Sequence, residues 1–190
     1  LGSDADGVAD LLDDFVSGMR EGGLSVTLKT FPGIGNVSAD VTESIAENTD
    51  SLMTIRDTNF VPYASGIQAG ADCVMVSNAA YSKLTVKKVP AFMSQDIVTK
   101  LLREELGFDG IVMTSPLNDN VIENNYTNEF AVVEAVKAGC DLIVLPGNFK
   151  ECYEALITAV EEGRIDEKVI NTSVRRILQN KIQRGILVLE

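Results

Sequence analysis

The chain has 190 residues, of which 45% are hydrophobic and 23% are charged, and its formal net charge is −12. This length suits one globular domain with a substantial core. A strongly acidic surface repels phosphate backbones and anionic lipid headgroups, so we expect neither nucleic acid nor a membrane surface as a partner.

The cysteine and histidine content argues against a metal centre. The chain has three cysteines and no histidine. It contains no CxxC pair, so we expect no zinc site, no other metal and no cofactor. Cys73 and Cys140 begin apolar runs, and together with Cys152 they are interpreted as buried small hydrophobic residues.

The first predicted element is a helix over residues 3–23. Apolar residues recur on one face at helical spacing, and either Ser3 or Asp4 could cap the amino terminus. Gly22 and Gly23 predict its end.

A buried strand and an interrupted helix follow. Residues 24–31 are rich in β-branched side chains and predict a strand, which Pro32 and the following glycines end. A helix is predicted over residues 51–70, with a kink or restart at Pro62, because proline costs about 3 kcal/mol in a helix interior.

The remaining elements continue the alternation of strands and helices. Ser94 is predicted to cap the next helix. The predicted strands are 72–78, 109–115 and 141–147, and the predicted helices are 95–107, 128–139, 149–163 and 166–187.

Four strands are thus expected, each an apolar run without alternation, which indicates a parallel sheet covered on both faces. The segments "AGADCVMV", "LGFDGIVM" and "AGCDLIVL" share a similar pattern at the start of a predicted strand, which indicates a repeated αβ unit. Two α/β architectures fit, a portion of a (β/α)8 barrel or a small doubly wound sheet. A full TIM-type barrel needs about 250 residues, so this chain would supply about half of one.

Longer motifs then point to a family. "KTFPGIGNVSADVT" is similar to the pattern K-H-F-P-G-H-G-D-x-x-x-D-S-H, and "VPAFMSQDIVTKLLREELGFDGIVMTS" to P-A-x-L-S-x-x-V-I-x-x-L-L-R-x-E-L-G-F-x-G-V-V-I-S-D. The chain resembles the barrel domain of glycoside hydrolase family 3, most closely its β-N-acetylhexosaminidase branch. The resemblance covers residues 1–190 as a single domain and implies that the N-terminal strands of the full barrel are absent.

The resemblance also implies where catalytic groups would stand. The family's Asp nucleophile falls on Ser115, and its acid/base His falls on Thr42, while the Asp partner of that His is present as Asp40. A serine attacks only when a base removes its proton, and this chain has no histidine to do so. The site is therefore interpreted as degenerate, with Asp40 left without a His to orient.

The expected sugar-binding positions have changed as well. Lys29 matches the family's Lys-His pair, but the His falls on Thr30; a second loop His falls on Ile34, and Asn78 stands where a further His is common. Lys29 is interpreted either as a remaining sugar-binding group or as a salt-bridged residue at a strand end.

Two acidic residues leave an alternative open. Asp119 and Glu43 are candidates for a relocated carboxylate pair. Otherwise Asp119 starts a loop or caps a helix, and Glu43 lies in the first turn of a helix. The loop "SPLNDNVIENNY" either contacts a ligand or is a solvated connection.

Three functions follow from these alternatives. The chain is an inactive glycosidase-like domain kept for carbohydrate binding or scaffolding, with an amino sugar or cell-wall glycan as ligand. Alternatively, it is an active glycosidase that uses relocated carboxylates or a missing segment. As a third possibility it is a half-barrel interaction module, which forms a homodimer or pairs with the missing half because a bare sheet edge attracts partners. The resemblance also implies a location, and we expect the protein at the surface of a bacterial cell.

Overall fold

The structure is a computed structural model that describes Gly2, residues 4–37 and residues 39–188. A helix and a strand alternate through most of it. In chain order the elements are α1 (Ala5–Glu21), β1 (Thr27–Phe31), β2 (Glu47–Asn48), α2 (Leu52–Asp57), α3 (Phe60–Gln68), β3 (Cys73–Val76), β4 (Ala80–Tyr81), a 3₁₀ turn (Ala91–Met93), a π-helix (Asp96–Glu105), β5 (Ile111–Thr114), α4 (Asn120–Glu123), α5 (Asn128–Ala138), α6 (Phe149–Glu161) and α7 (Glu167–Gln183).

Three parallel strands form the central sheet, in the order β1-β3-β5. Leu28, Val74 and Val112 stand side by side across it, and all three are buried. Helices cover the sheet, with α1 packed on α3 and α5 packed on α6. This sequential parallel order is that of consecutive βα units in a barrel, so the predicted α/β class and barrel portion are confirmed.

Local signals set the helix ends as predicted in several places. The Asp4 carboxylate accepts a hydrogen bond from the Gly7 amide and caps α1. Ser3, the other predicted cap, lies outside the described residues. At the far end of α5, Gly139 has a φ of 111°, a left-handed conformation that glycine adopts without strain.

The predicted interruption near Pro62 is confirmed as a restart. α2 ends at Asp57, and α3 begins at Phe60, so Pro62 lies in the first turn of α3. An amide in the first turn has no partner within the helix, so the missing N–H of proline costs nothing there.

Two sequence predictions about elements are wrong. The side chain of Ser94 does not cap the following helix; its carbonyl oxygen accepts from Ile97 and Val98 instead. Residues 141–147 form only a single parallel bridge, between Leu142 and Met113. Beyond it Leu145 and Gly147 have φ of 44° and 70°, and such left-handed backbone cannot continue an extended strand.

The three cysteines are buried and unpaired, as predicted for small hydrophobic core residues. They lie in different parts of the core, at the start of β3, after α5 and in α6. Within the part of the chain that the structure describes, no helix has the length and apolar character needed to cross a membrane.

Candidate active site

The carboxyl-terminal ends of the parallel strands meet at one rim of the sheet. Lys29 and Thr30 lie in β1, Asn78 follows β3 by two residues, and Ser115 comes directly after β5. Because parallel strands point in one direction, residues from distant parts of the sequence are brought to the same edge, where barrel proteins carry their active sites.

Ser115, at the predicted nucleophile position, is held in a structural hydrogen bond. Its hydroxyl donates to the Val76 carbonyl oxygen at 2.8 Å, and its amide donates to the same oxygen at 3.0 Å. The residue is only 6% exposed. Within the described residues no carboxylate or amine makes a hydrogen bond with this hydroxyl, so none of them stands where it could remove the proton that a serine nucleophile must lose.

Asp40 and Thr42 form a local turn in the loop after β1. The Asp40 carboxylate accepts from the Thr42 amide at 2.9 Å and from the Thr42 hydroxyl at 2.7 Å. The hydrogen bond from the Thr42 amide, with that from its hydroxyl, lowers the pKa of Asp40 below its ordinary value. The sequence analysis predicted a carboxylate without a histidine to orient. In the structure this carboxylate accepts hydrogen bonds from Thr42 instead.

Asp119 contacts the end of the neighbouring βα unit. Its carboxylate accepts a hydrogen bond of 2.8 Å from the side-chain amide of Asn78. Burial raises the pKa of Asp119, the hydrogen bond from Asn78 opposes this shift, and the negative charges of Asp40 and Glu43 add to it. Asp119 is also the residue before α4, one of the two structural roles predicted for it, although its carboxylate makes no cap hydrogen bond.

Glu43 lies on the same rim but not in a helix. It is exposed in a turn, so its predicted place in the first turn of a helix is wrong. Its carboxylate accepts from the Asn120 side chain at 2.9 Å, and the Val121 amide donates to the Thr42 carbonyl oxygen at 2.8 Å. These two bonds hold the loop of residues 40–44 against the start of α4, so the two candidate carboxylates share one region.

Lys29, Thr30 and Ile34 line a separate groove. It has a volume of about 510 Å³ and runs between α1 and the free edge of β1. Asn78, Ser115 and Asp119 are not among its lining residues. Lys29 is exposed and makes no salt bridge within the described residues, so the structure does not show the predicted salt bridge, and sugar binding by this side chain stays a prediction.

Asn120 is a site residue that sequence reasoning did not single out, although it belongs to the asparagine-rich loop that was considered for ligand contact. Two buried asparagines also have an amide atom without a hydrogen-bond partner among the described residues, Nδ2 of Asn48 and Oδ1 of Asn78. Within the described residues, no three acidic or cysteine side chains are grouped in a way that could hold a metal ion.

Comparison of the chain with known proteins identifies its family. The model described as "Glycosyl hydrolase family 3 N terminal domain" matches residues 1–180. A beta-hexosaminidase of Stenotrophomonas maltophilia (strain K279a) is 32% identical over 180 residues, which are 95% of this chain and 50% of that protein. A beta-hexosaminidase of Xylella fastidiosa (strain M23) is 33% identical over 138 residues, which are 73% of this chain and 41% of the relative.

Solved structures agree. A glycoside hydrolase family 3 beta-N-acetylglucosaminidase from Paenibacillus sp. str. FPU-7 superposes with a TM-score of 0.93 at 33% identity, covering 100% of this chain and 38% of that one. A beta-N-acetylhexosaminidase from Beutenbergia cavernae DSM 12333 has a TM-score of 0.86 at 31% identity, covering 95% and 54%. The chain thus spans half or less of the length of the two beta-hexosaminidases. The chain belongs to the glycosyl hydrolase family 3 N-terminal domain family, as its sequence motifs predicted.

Proposed function

We propose that this domain binds carbohydrate at the rim of its sheet and does not hydrolyse glycosidic bonds by the retaining mechanism. Family membership supports the carbohydrate ligand. The absence of hydrolysis is inferred from Ser115. This residue is buried, and its hydroxyl donates a hydrogen bond to a backbone carbonyl. Retaining hydrolysis usually needs two carboxyl groups about 5 Å apart, one of them as nucleophile, and serine cannot supply that group.

The test measures hydrolysis of an aryl β-N-acetylglucosaminide and an aryl β-glucoside by the full chain, with glycan binding measured on the same preparation by calorimetry. We expect binding without turnover. The double variant Ser115→Asp, Thr42→His serves as a probe of whether the site still positions restored groups. Turnover by the unmodified chain that is lost in Asp119→Asn would overturn the proposal.

The relocated carboxylate pair is the second candidate, favoured by the raised pKa of Asp119. A general acid works best when its pKa is near the working pH, and burial beside two other acids moves Asp119 in that direction. If this pair is catalytic, Asp119→Asn and Glu43→Gln each abolish turnover, and the rate falls as pH rises through the pKa of the acid. Equal rates in the variants and the parent chain exclude it.

We also propose that residues 1–190 act as one domain and that a second copy covers the groove beside β1. The groove is apolar on its helical side, where Leu12 is half-buried and Phe15 is 58% exposed. Within the described residues no strand pairs with the outer edge of β1, and such an edge favours pairing with another chain. Analytical ultracentrifugation at increasing protein concentration tests this proposal. We expect a dimer, and we expect Phe15→Glu to dissociate it. A monomer at all concentrations would contradict the proposal.

A further inference from the structure

The helices α1 and α7 carry opposite charge. α1 contains five acidic residues and one arginine, whereas α7 contains four cationic residues and one acidic residue. Asp10 and Asp14 are exposed on α1, and Arg175 and Lys181 are exposed on α7. Within the described residues none of these four side chains forms a salt bridge. α7 is thus a basic surface on a chain whose formal net charge is −12.

Both helices also expose apolar side chains. On α1, Leu11 and Phe15 are one helical turn apart, and Phe15 lines the groove beside β1. On α7, an exposed stripe is formed at intervals of four residues by Val174, Leu178 and Ile182. Exposed apolar patches that are bordered by polar residues mark surfaces for contact with another protein.

The unpaired charges border these apolar residues. Arg175 and Lys181 each lie three positions from Leu178, so a cation stands on either side of the stripe. Asp14 lies three positions from Leu11 and therefore next to it on the helix surface. We call Asp10, Leu11, Asp14 and Phe15 the α1 face. The α7 face consists of Val174, Arg175, Leu178, Lys181 and Ile182.

The two helices end close together in the fold. Arg20, in the last turn of α1, and Arg184, directly after α7, both form a salt bridge with Asp72, at 3.1 and 2.6 Å. A twofold axis beside this point brings the α1 face of one copy against the α7 face of the other. In such a dimer the same contact occurs twice, and no α1 or α7 face is left uncovered.

Charge decides which surface of a second copy fits the α1 face. Two copies of a chain with this net charge repel each other except where cations are concentrated. α6 also exposes apolar residues, among them Phe149 and Tyr153, but it carries three acidic residues and one lysine and would repel α1. The α7 face combines exposed apolar side chains with the opposite charge.

We propose that the α7 face of a second copy covers the α1 face, and that two copies form a twofold dimer through two such contacts. This inference rests on the proposed pairing with a second copy and names the surface of that copy which makes the contact. The apolar side chains exclude water from the interface, and the charges determine which helices meet.

The test is analytical ultracentrifugation of the full chain and of two charge-reversed variants. One variant carries Asp10→Lys with Asp14→Lys, and the other carries Arg175→Glu with Lys181→Glu. We expect the parent chain to dimerise and each variant alone to have a dimer Kd at least about tenfold higher, because like charges then meet at both contacts. An equimolar mixture should regain a Kd within about threefold of the parent value, since one contact then has both charges reversed and the other keeps its original charges.

The matched controls change the net charge equally at exposed positions outside both helices. They are Asp57→Lys with Glu123→Lys, and Lys83→Glu with Lys87→Glu. Both should leave the dimer Kd within about twofold of the parent value. Equal weakening in the controls, or a mixture that stays as weak as its components, would overturn the inference.

The remaining outcomes separate this inference from the proposal on which it rests. Reversed variants that dimerise like the parent chain overturn the inference but leave the pairing with a second copy intact. A parent chain that stays monomeric overturns both. Circular dichroism spectra confirm that each variant is folded, and recovery in the mixture shows that the variants kept their interacting surfaces.

Discussion

Arg184 and Asp72 join the end of the chain to the start of β3. One guanidinium nitrogen of Arg184 lies 2.6 Å from each carboxylate oxygen of Asp72, and the two side chains are 11% and 3% exposed. Asp72 also accepts from the Val26 amide at 2.8 Å and from Asn180 in α7 at 3.1 Å. The carboxylate thus connects α7, β3 and the approach to β1 at the end of the sheet opposite the candidate site.

Arg184→Met is expected to lower the free energy of unfolding by about 3 kcal/mol, because it leaves a buried carboxylate without its main charge partner. Arg20, which also contacts Asp72 but is more exposed, limits the loss. Chemical denaturation measures the change. The control is Arg164→Met, which breaks an exposed pair with Glu162 and should cost less than about 1 kcal/mol. Equal costs in the two variants would contradict the argument.

Arg103 has a similar role at Asp141, whose side chain is fully buried. Its guanidinium donates to Asp141 and to the carbonyl oxygens of Phe108 and Gly110, at 3.0 and 2.6 Å for the two carbonyls. Burial lowers the pKa of Arg103, while the charge of Asp141 opposes that shift.

Arg103→Lys is expected to cost about 2 kcal/mol of stability, since an ammonium keeps the charge but cannot reach these acceptors from one planar group. Thermal and urea unfolding give the value. Arg56→Lys is the control, because Arg56 makes an exposed pair with Glu105 and should tolerate lysine within about 0.5 kcal/mol. If Arg103→Lys were as mild as the control, the network would have no structural importance.

Gly66 and Gly18 give a pair of opposite predictions. A Cβ atom on Gly66 would lie 2.8 Å from the Leu28 side chain, whereas one on Gly18 would meet no atom within 4 Å. Gly66→Ala should therefore cost about 1–3 kcal/mol by overpacking, and Gly18→Ala should gain about 0.5–1 kcal/mol through helix propensity. In a double-mutant cycle, Leu28→Ala should reduce the cost of Gly66→Ala. If Gly66→Ala stabilised the protein as Gly18→Ala does, α3 would not be tightly packed against β1 at this position.

Asp119→Asn should stabilise the fold at neutral pH, by less than about 1 kcal/mol because the site is partly exposed. The pKa of Asp119 is raised in the folded state, so the folded chain holds this proton more tightly than the unfolded chain. Stability of the parent chain consequently falls as pH rises from about 3.9, the ordinary value, through the raised pKa. The difference in the free energy of unfolding between Asp119→Asn and the parent chain should vanish below this pH range and reach its full value above it. Urea denaturation from pH 3.5 to 7.5 checks this, and a difference that grows toward acid pH would contradict it.

Ser115→Ala should cost about 1 kcal/mol, because it removes one hydrogen bond to Val76 while the Ser115 amide still donates to that oxygen. Ser115→Asp should cost more, since a carboxylate would then be buried against a carbonyl oxygen. Equilibrium denaturation gives both values, and sugar binding of the alanine variant should equal that of the parent chain. Loss of binding in Ser115→Ala would instead place the hydroxyl in ligand recognition.

The chain order of helices and the barrel portion were predictable because their signals are local. Helical spacing, the Asp4 cap and Gly139 act within one or two turns, so they define α1 and α5 in the sequence itself. The long motifs likewise identified the family. Residues 141–147 were mispredicted because apolar residues alone do not make a strand; extended backbone persists where a neighbour pairs with it.

By itself, therefore, the sequence determined which residues begin and end most helices, the buried state of the cysteines and the absence of histidine from the chain. Only the tertiary structure decided that Ser115 donates to Val76, that Asn78 donates to Asp119 and that the amide oxygen of Asn78 has no partner among the described residues. The physical reason is range. Helix periodicity and caps depend on residues within a few positions, whereas hydrogen-bond satisfaction and the field of neighbouring charges depend on groups that the fold brings together from distant βα units.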